Sequence, residues 1–176
     1  MNRFIKLWAL YLIILLTFSC GSNDKKTTTI IDPVIYDTTL VKVNQKLVKT
    51  EEEQITNFIE RYQWKMEKTG TGLRYMIYNK GTGAKAEKGK TAKINFTVRL
   101  ITGDVCYSSK ESGEKELLIG KSGEISGLEE GLLLLHVGDK ARFIIPSHLA
   151  FGLLGDENKI PKRATLVYDV ELTEIK

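Results

Sequence analysis

Between Thr91 and Leu100 apolar and polar side chains alternate without a break. Ala92, Ile94, Phe96, Val98 and Leu100 share one side, and Lys93, Asn95, Thr97 and Arg99 the other. Successive strand side chains point to opposite faces, so this run is a strand with one face on a core and the other in water, the habit of an antiparallel sheet. The run Thr165 to Thr173 repeats the pattern, with Leu166, Tyr168, Val170 and Leu172 inward and Asp169, Glu171 and Thr173 outward. Shorter strands are predicted at 73–78, before Gly81-Thr82-Gly83, at 116–119, and at 142–145, where Pro146 ends the run. Gly103-Asp104 and Gly138-Asp139 mark turns, and 120–127 reads as loop. Ser126 and Glu129 have the spacing of a capping box, which predicts a short helix through Leu132, Leu133 and Leu134. One helix over one face of an antiparallel sheet is an α+β architecture.

The N-terminal part follows other rules. Arg3 and Lys6 precede an apolar run from Leu7 to Phe18. Roughly a dozen apolar residues are too few for a permanent membrane span and suit an export signal. Ser19-Cys20 followed by Gly21-Ser22-Asn23-Asp24 resembles a bacterial lipoprotein signal, so residues 1–19 are expected to be removed and Cys20 lipidated. Thr17 and Phe18 fit that signal loosely, and plain secretion is the alternative. Residues 20–49, Thr- and Lys-rich at their start, are predicted to be a tether, with Ile30-Ile31 and Leu40-Val41 as short apolar groups able to dock. Thr50 and Glu53 form a second capping box, and Ile55, Phe58, Ile59 and Tyr62 follow at helical spacing. An amphipathic helix is therefore predicted over 51–66, within a helix-and-connector segment 50–71. Its apolar stripe packs on its own domain, or serves as a homodimerisation arm.

Composition narrows the function. With Cys20 lipidated, Cys106 is the single remaining cysteine, so no internal disulfide can form. Loss of Arg3 and Lys6 with the signal leaves 24 basic against 22 acidic side chains, too even a balance for a nucleic-acid partner. His136, His148 and Cys106 lack metal-ligand spacing, so no metal is expected. No nucleophile and base stand at a recognised spacing, which argues against a hydrolase. Glu129 and Glu130 fall in the first turn of the predicted helix, where acidic residues serve capping and the helix dipole rather than acid–base chemistry.

The order Ser126-Gly127-Leu128-Glu129-Glu130-Gly131, Ala150-Phe151-Gly152, Ile160-Pro161 and Ala164-Thr165-Leu166-Val167-Tyr168-Asp169-Val170-Glu171-Leu172 resembles the FK506-binding-protein (FKBP) family of peptidyl-prolyl isomerases, over 72–176. The resemblance implies a sheet wrapped on the short helix with an aromatic pocket between them that receives a proline. It needs no cofactor, since twisting an X–Pro amide calls only for apolar walls and fixed hydrogen-bond donors. Carried onto this sequence, the pocket residues are Phe96, Tyr107, Ile125, Leu128, Phe151 and Tyr168, with Cys106, Glu124 and Ile160 contacting substrate and Asp156 and Lys159 on the rim. The backbone N–H of Ile125 is implied to bind a substrate carbonyl.

Three departures from the family pattern bear on activity. Cys106-Tyr107 replace a Phe-Asp pair, Leu128 replaces Trp on the pocket floor, and Phe151 replaces Tyr. Together they imply an isomerase slowed by about tenfold to thousandfold, or a pocket that binds prolyl peptides without turnover. Phe96, Leu128, Phe151 and Tyr168 are inward positions that any such domain fills with apolar groups, so only their joint placement points to a pocket. Cys106 by itself reads as a small buried hydrophobe. The layout as a whole implies a lipid-anchored isomerase of the bacterial envelope, on its periplasmic or outer-membrane face, acting on prolyl polypeptides. It also resembles the isomerase lipoproteins associated with gliding motility. A non-catalytic binding or chaperone module is the rival reading.

Overall fold

The computed structural model describes the backbone of residues 33–176 and the side chains of residues 39–176. The expected signal, the lipidation at Cys20 and residues 21–32 lie outside the described residues. The chain divides into two compact units, Met1–Leu40 and Val41–Lys176. Of the first, the backbone from Pro33 and the side chains of Thr39 and Leu40 are described.

Helix α1 runs from Pro33 to Arg61, well upstream of the predicted start at 51. Residues 33–49, predicted as tether, are therefore helical. Proline fits the first turn of a helix, where its missing N–H costs no bond. Thr50 then lies inside the helix and cannot cap it; its hydroxyl donates instead to the Lys46 carbonyl, 2.9 Å away. Among the described residues no helix is long and apolar enough to cross a membrane.

The sheet comprises β1 (Glu67–Lys68), β2 (Arg74–Asn79), β3 (Thr91–Leu100), β4 (Val105–Ser108), β5 (Lys115–Leu118), β6 (Lys140–Ile145) and β7 (Leu166–Ile175). Strand order is β1-β2-β6-β7-β3-β4, with β5 also paired to β3, and every pairing is antiparallel. Strand β3 serves two partners on one edge: β5 meets Thr91–Ile94 and β4 meets Thr97–Arg99. Helix α2 (Ser109–Ser112) follows β4, and helix α3 (Ser126–Leu132) is the one that covers the sheet.

The two faces have different cores. On one face Ala92, Ile94, Val98, Phe143, Ile145, Leu166, Tyr168, Val170 and Leu172 cluster with Leu128 and Leu132 of α3. The helix approaches so closely because it presents glycines: a Cβ on Gly131 would stand 2.7 Å from the Phe143 ring, and one on Gly127 2.4 Å from Ile145 Cγ2. On the opposite face Ile55 of α1 is buried against Ile144 and Val167, with Phe58, Ile59, Trp64, Met66 and Ile101 around them. Tyr62, predicted to share that stripe, is instead exposed and stacks on Trp64, ring centroids 4.8 Å apart. The Arg142 guanidinium lies 4.1 Å from the Trp64 ring centroid, and Asp169 accepts from both Arg99 and Arg142 at 2.7 Å.

Candidate functional site

The residues assigned to the pocket from sequence lie on β3, β4, β7, α3 and its approach, and the long loop 146–165. Leu128 is fully buried, and Tyr168, Ile125, Cys106 and Ile160 are nearly so. Phe96, Tyr107 and Phe151 are half-buried and pack against the same cluster, with Leu149 and Ala150 beside them. Eight of the nine residues assigned to the pocket from sequence thus belong to one apolar cluster. Glu124, the ninth, borders it: its carboxylate accepts from Lys115 Nζ at 2.7 Å, and that ammonium lies 5.7 Å from the Phe96 ring centroid.

The start of α3 differs from the sequence prediction in a way that matters. Ile125, not Ser126, occupies the N-cap position, in extended conformation and without a side-chain cap. The Ser126 hydroxyl donates to the Leu149 carbonyl at 3.4 Å, while the Glu129 carboxylate accepts from the Ser122 hydroxyl at 2.6 Å. The predicted capping box therefore does not form, because Ser126 is already helical and its hydroxyl turns toward the loop. The helix stops at Leu132 rather than Leu134, and Leu133 is exposed. As the residue before the helix, Ile125 gives its carbonyl to Leu128 and Glu129, but its own N–H donates to no acceptor among the described residues. Most backbone N–H groups in folded proteins are paired, so a free one beside an apolar cluster is an available donor.

The far wall is held by Asp156. One carboxylate oxygen accepts from the amides of Ile160 at 2.7 Å and Asn158 at 3.0 Å. The other receives the hydroxyl of Tyr107, and Asn158 Nδ2 lies 3.4 Å from the same phenol. Tyr107 thus ties β4 to the loop instead of merely filling space, with Lys159 Nζ 5.4 Å from its ring centroid. Burial opposes ionisation of Asp156, but the Tyr107 hydroxyl and the Ile160 and Asn158 amides outweigh it and hold its pKa below the ordinary carboxylate value. Burial, joined by the Asp156 charge, pushes the Cys106 thiol up, which suits an apolar wall rather than a nucleophile.

Two features escape sequence reasoning. Glu51 of α1 accepts from the Ser147 amide at 2.7 Å, the Ser147 hydroxyl at 3.0 Å and the Thr165 hydroxyl at 2.7 Å, and so clamps both ends of the loop that carries Phe151, Asp156 and Ile160. Asp139, almost fully buried, accepts from the amides of Gly81 and His136 at 2.6 and 2.7 Å. Both acids stand 55 residues or more from at least one partner, and no local spacing reveals them.

Residues 82–173 match the family described as FKBP-type peptidyl-prolyl cis-trans isomerase. Among curated proteins, a probable isomerase of that type from Neisseria meningitidis, FkpA, is 40% identical over 107 residues, which cover 61% of this chain and 39% of the relative. The 22 kDa isomerase of Escherichia coli is 39% identical over 108 residues, covering 61% and 52%. FK506-binding protein 2 of Yarrowia lipolytica is 35% identical over 112 residues, covering 63% and 78%. The two bacterial alignments thus span about half or less of those relatives' own length. Among solved structures, FkpA of Escherichia coli superposes with a TM-score of 0.65 at 26% identity, covering 97% of this chain and 81% of that one. AtFKBP13 gives 0.61 at 26% identity, covering 64% and 100%.

Proposed function

The chain belongs to the FKBP-type peptidyl-prolyl cis-trans isomerase family, and from that premise we propose that it catalyses cis-trans isomerisation of X–Pro bonds in polypeptide clients. The barrier to rotation is about 18 to 20 kcal/mol because the planar amide is resonance-stabilised. A site lowers it by binding the twisted amide better than either planar form. Apolar walls do this by withholding water from the amide oxygen, whose charge is greatest when the bond is planar. Phe96, Phe151 and Tyr168 form those walls, with Leu128 buried beneath them, and the Ile125 N–H holds a substrate carbonyl.

The observation that carries this reading is the free N–H of Ile125, which shares one apolar cluster with seven other proposed pocket residues. The Trp-to-Leu change at Leu128 removes apolar surface at roughly 25 cal/mol per Å², so turnover is expected below that usual for the family. The test is isomerisation of a proline-containing tetrapeptide by the wild-type protein and by Ile125→Pro, with circular dichroism to establish that the variant is folded. The reading requires a rate above background that the variant loses. A background rate from folded wild-type protein would leave the binding-module alternative.

The N-terminal apolar run and Cys20 support a second element of the proposal: the protein is a lipid-anchored folding helper of the bacterial envelope, its clients being secreted or envelope polypeptides. Mass spectrometry of the mature N-terminus should find acylated Cys20, and a free residue 21 or later would contradict it. Self-association through α1 is also proposed. In residues 51–61 the apolar stripe is already occupied by Ile144 and Val167, so pairing would fall on the exposed Val41, Leu47 and Val48, with sedimentation velocity as the check.

A further inference from the structure

Tyr168 is only 5% exposed, yet its hydroxyl makes no hydrogen bond to any described residue. No side-chain nitrogen or oxygen among the described residues is both sealed from solvent and without a partner. The hydroxyl therefore opens outward through a narrow access. The groups whose charge acts on it are Glu124, Cys106, Tyr107 and Asp156, residues of the site just described. Burial first, then the Glu124 charge, pushes the phenol's pKa far up, which keeps it a protonated donor. Packing alone would be served by phenylalanine, since the ring fills the core and the oxygen bonds to nothing there. A nearly buried, unpaired hydroxyl calls for a partner supplied from outside.

We propose that the Tyr168 hydroxyl donates a hydrogen bond to a carbonyl oxygen of the bound prolyl peptide, and so supplies the side-chain donor that Phe151 lacks. That carbonyl is not the one of the rotating amide. A planar amide carries more negative charge on its oxygen than a twisted one, so a donor placed there would hold the bond planar and raise the barrier. A donor on a neighbouring carbonyl strengthens ground state and transition state alike and acts through affinity. The inference rests on the reading of this site as a prolyl pocket.

The test is Tyr168→Phe in the full chain, which removes one oxygen and keeps the ring. Binding of a proline-containing tetrapeptide is titrated for both proteins, kcat and KM are measured, and thermal unfolding verifies that the fold is unchanged. Kd and KM should rise about three- to tenfold with kcat unaltered. Equal Kd values, or a changed kcat at constant KM, would overturn the assignment, and a rise in kcat would place the donor on the rotating carbonyl instead. Should the wild-type protein bind peptide without accelerating isomerisation, the Kd comparison still decides the inference while the isomerase reading fails. Acceleration by both proteins with equal affinity would sink the inference and leave the reading standing.

Discussion

The Tyr107 hydroxyl on β4 is bound to Asp156 of the loop 146–165. The folded pKa of Asp156 lies below its unfolded value, so its contribution to loop order is fully present above the ordinary aspartate pKa of about 3.9 and is lost as pH falls through the lower folded value. Protection factors for amide exchange at Ile160 and Asn158, the two backbone donors to Asp156, should fall on acidification below that ordinary value. Tyr107→Phe removes one of the bonds that lower the pKa and should move the transition to higher pH. Protection factors that stay constant over this range would show that Asp156 does not hold the wall. That Phe96, Tyr107, Leu128, Phe151 and Tyr168 share one apolar cluster was legible, because each stands at an inward position of a strand, helix or loop. The Tyr107–Asp156 link was not, since it joins residues 49 apart on two elements whose approach depends on the whole sheet.

At the scale of elements, the strands were readable wherever one face is dry: the inward series of β7 named from alternation is buried, and alternation missed only Val167, which is buried on the opposite face against Ile55. Helix boundaries were less so. Thr50 with Glu53, and Ser126 with Glu129, both have capping-box spacing, yet neither forms a box, because a preceding proline had already opened α1 and because Ile125 took the N-cap of α3. Local spacing cannot reveal which of two candidate starts tertiary packing selects. Two substitutions test the packing described. Gly131→Ala would press a methyl into the Phe143 ring and should destabilise the protein by about 1 to 3 kcal/mol, measured by denaturant unfolding. Glu51→Ala leaves the Ser147 amide and two hydroxyls without their acceptor, and should cost about 1 to 3 kcal/mol. That loss should appear first as faster amide exchange at both ends of loop 146–165, ahead of global unfolding.

For the molecule as a whole, a fully antiparallel sheet carries α3 on one face and the Ile55 segment of α1 on the other, and Glu51 links α1 to the loop that carries Phe151, Asp156 and Ile160. In the proposed pocket the unpaired hydroxyl of Tyr168 supplies the side-chain donor. The most direct measurement is two-dimensional exchange spectroscopy of a proline-containing tetrapeptide with a small amount of labelled protein. Cis–trans exchange peaks that grow with added protein, together with a shift of the Ile125 amide resonance, are the predicted result. A folded protein that leaves peptide exchange at background and the Ile125 amide unmoved would contradict the account.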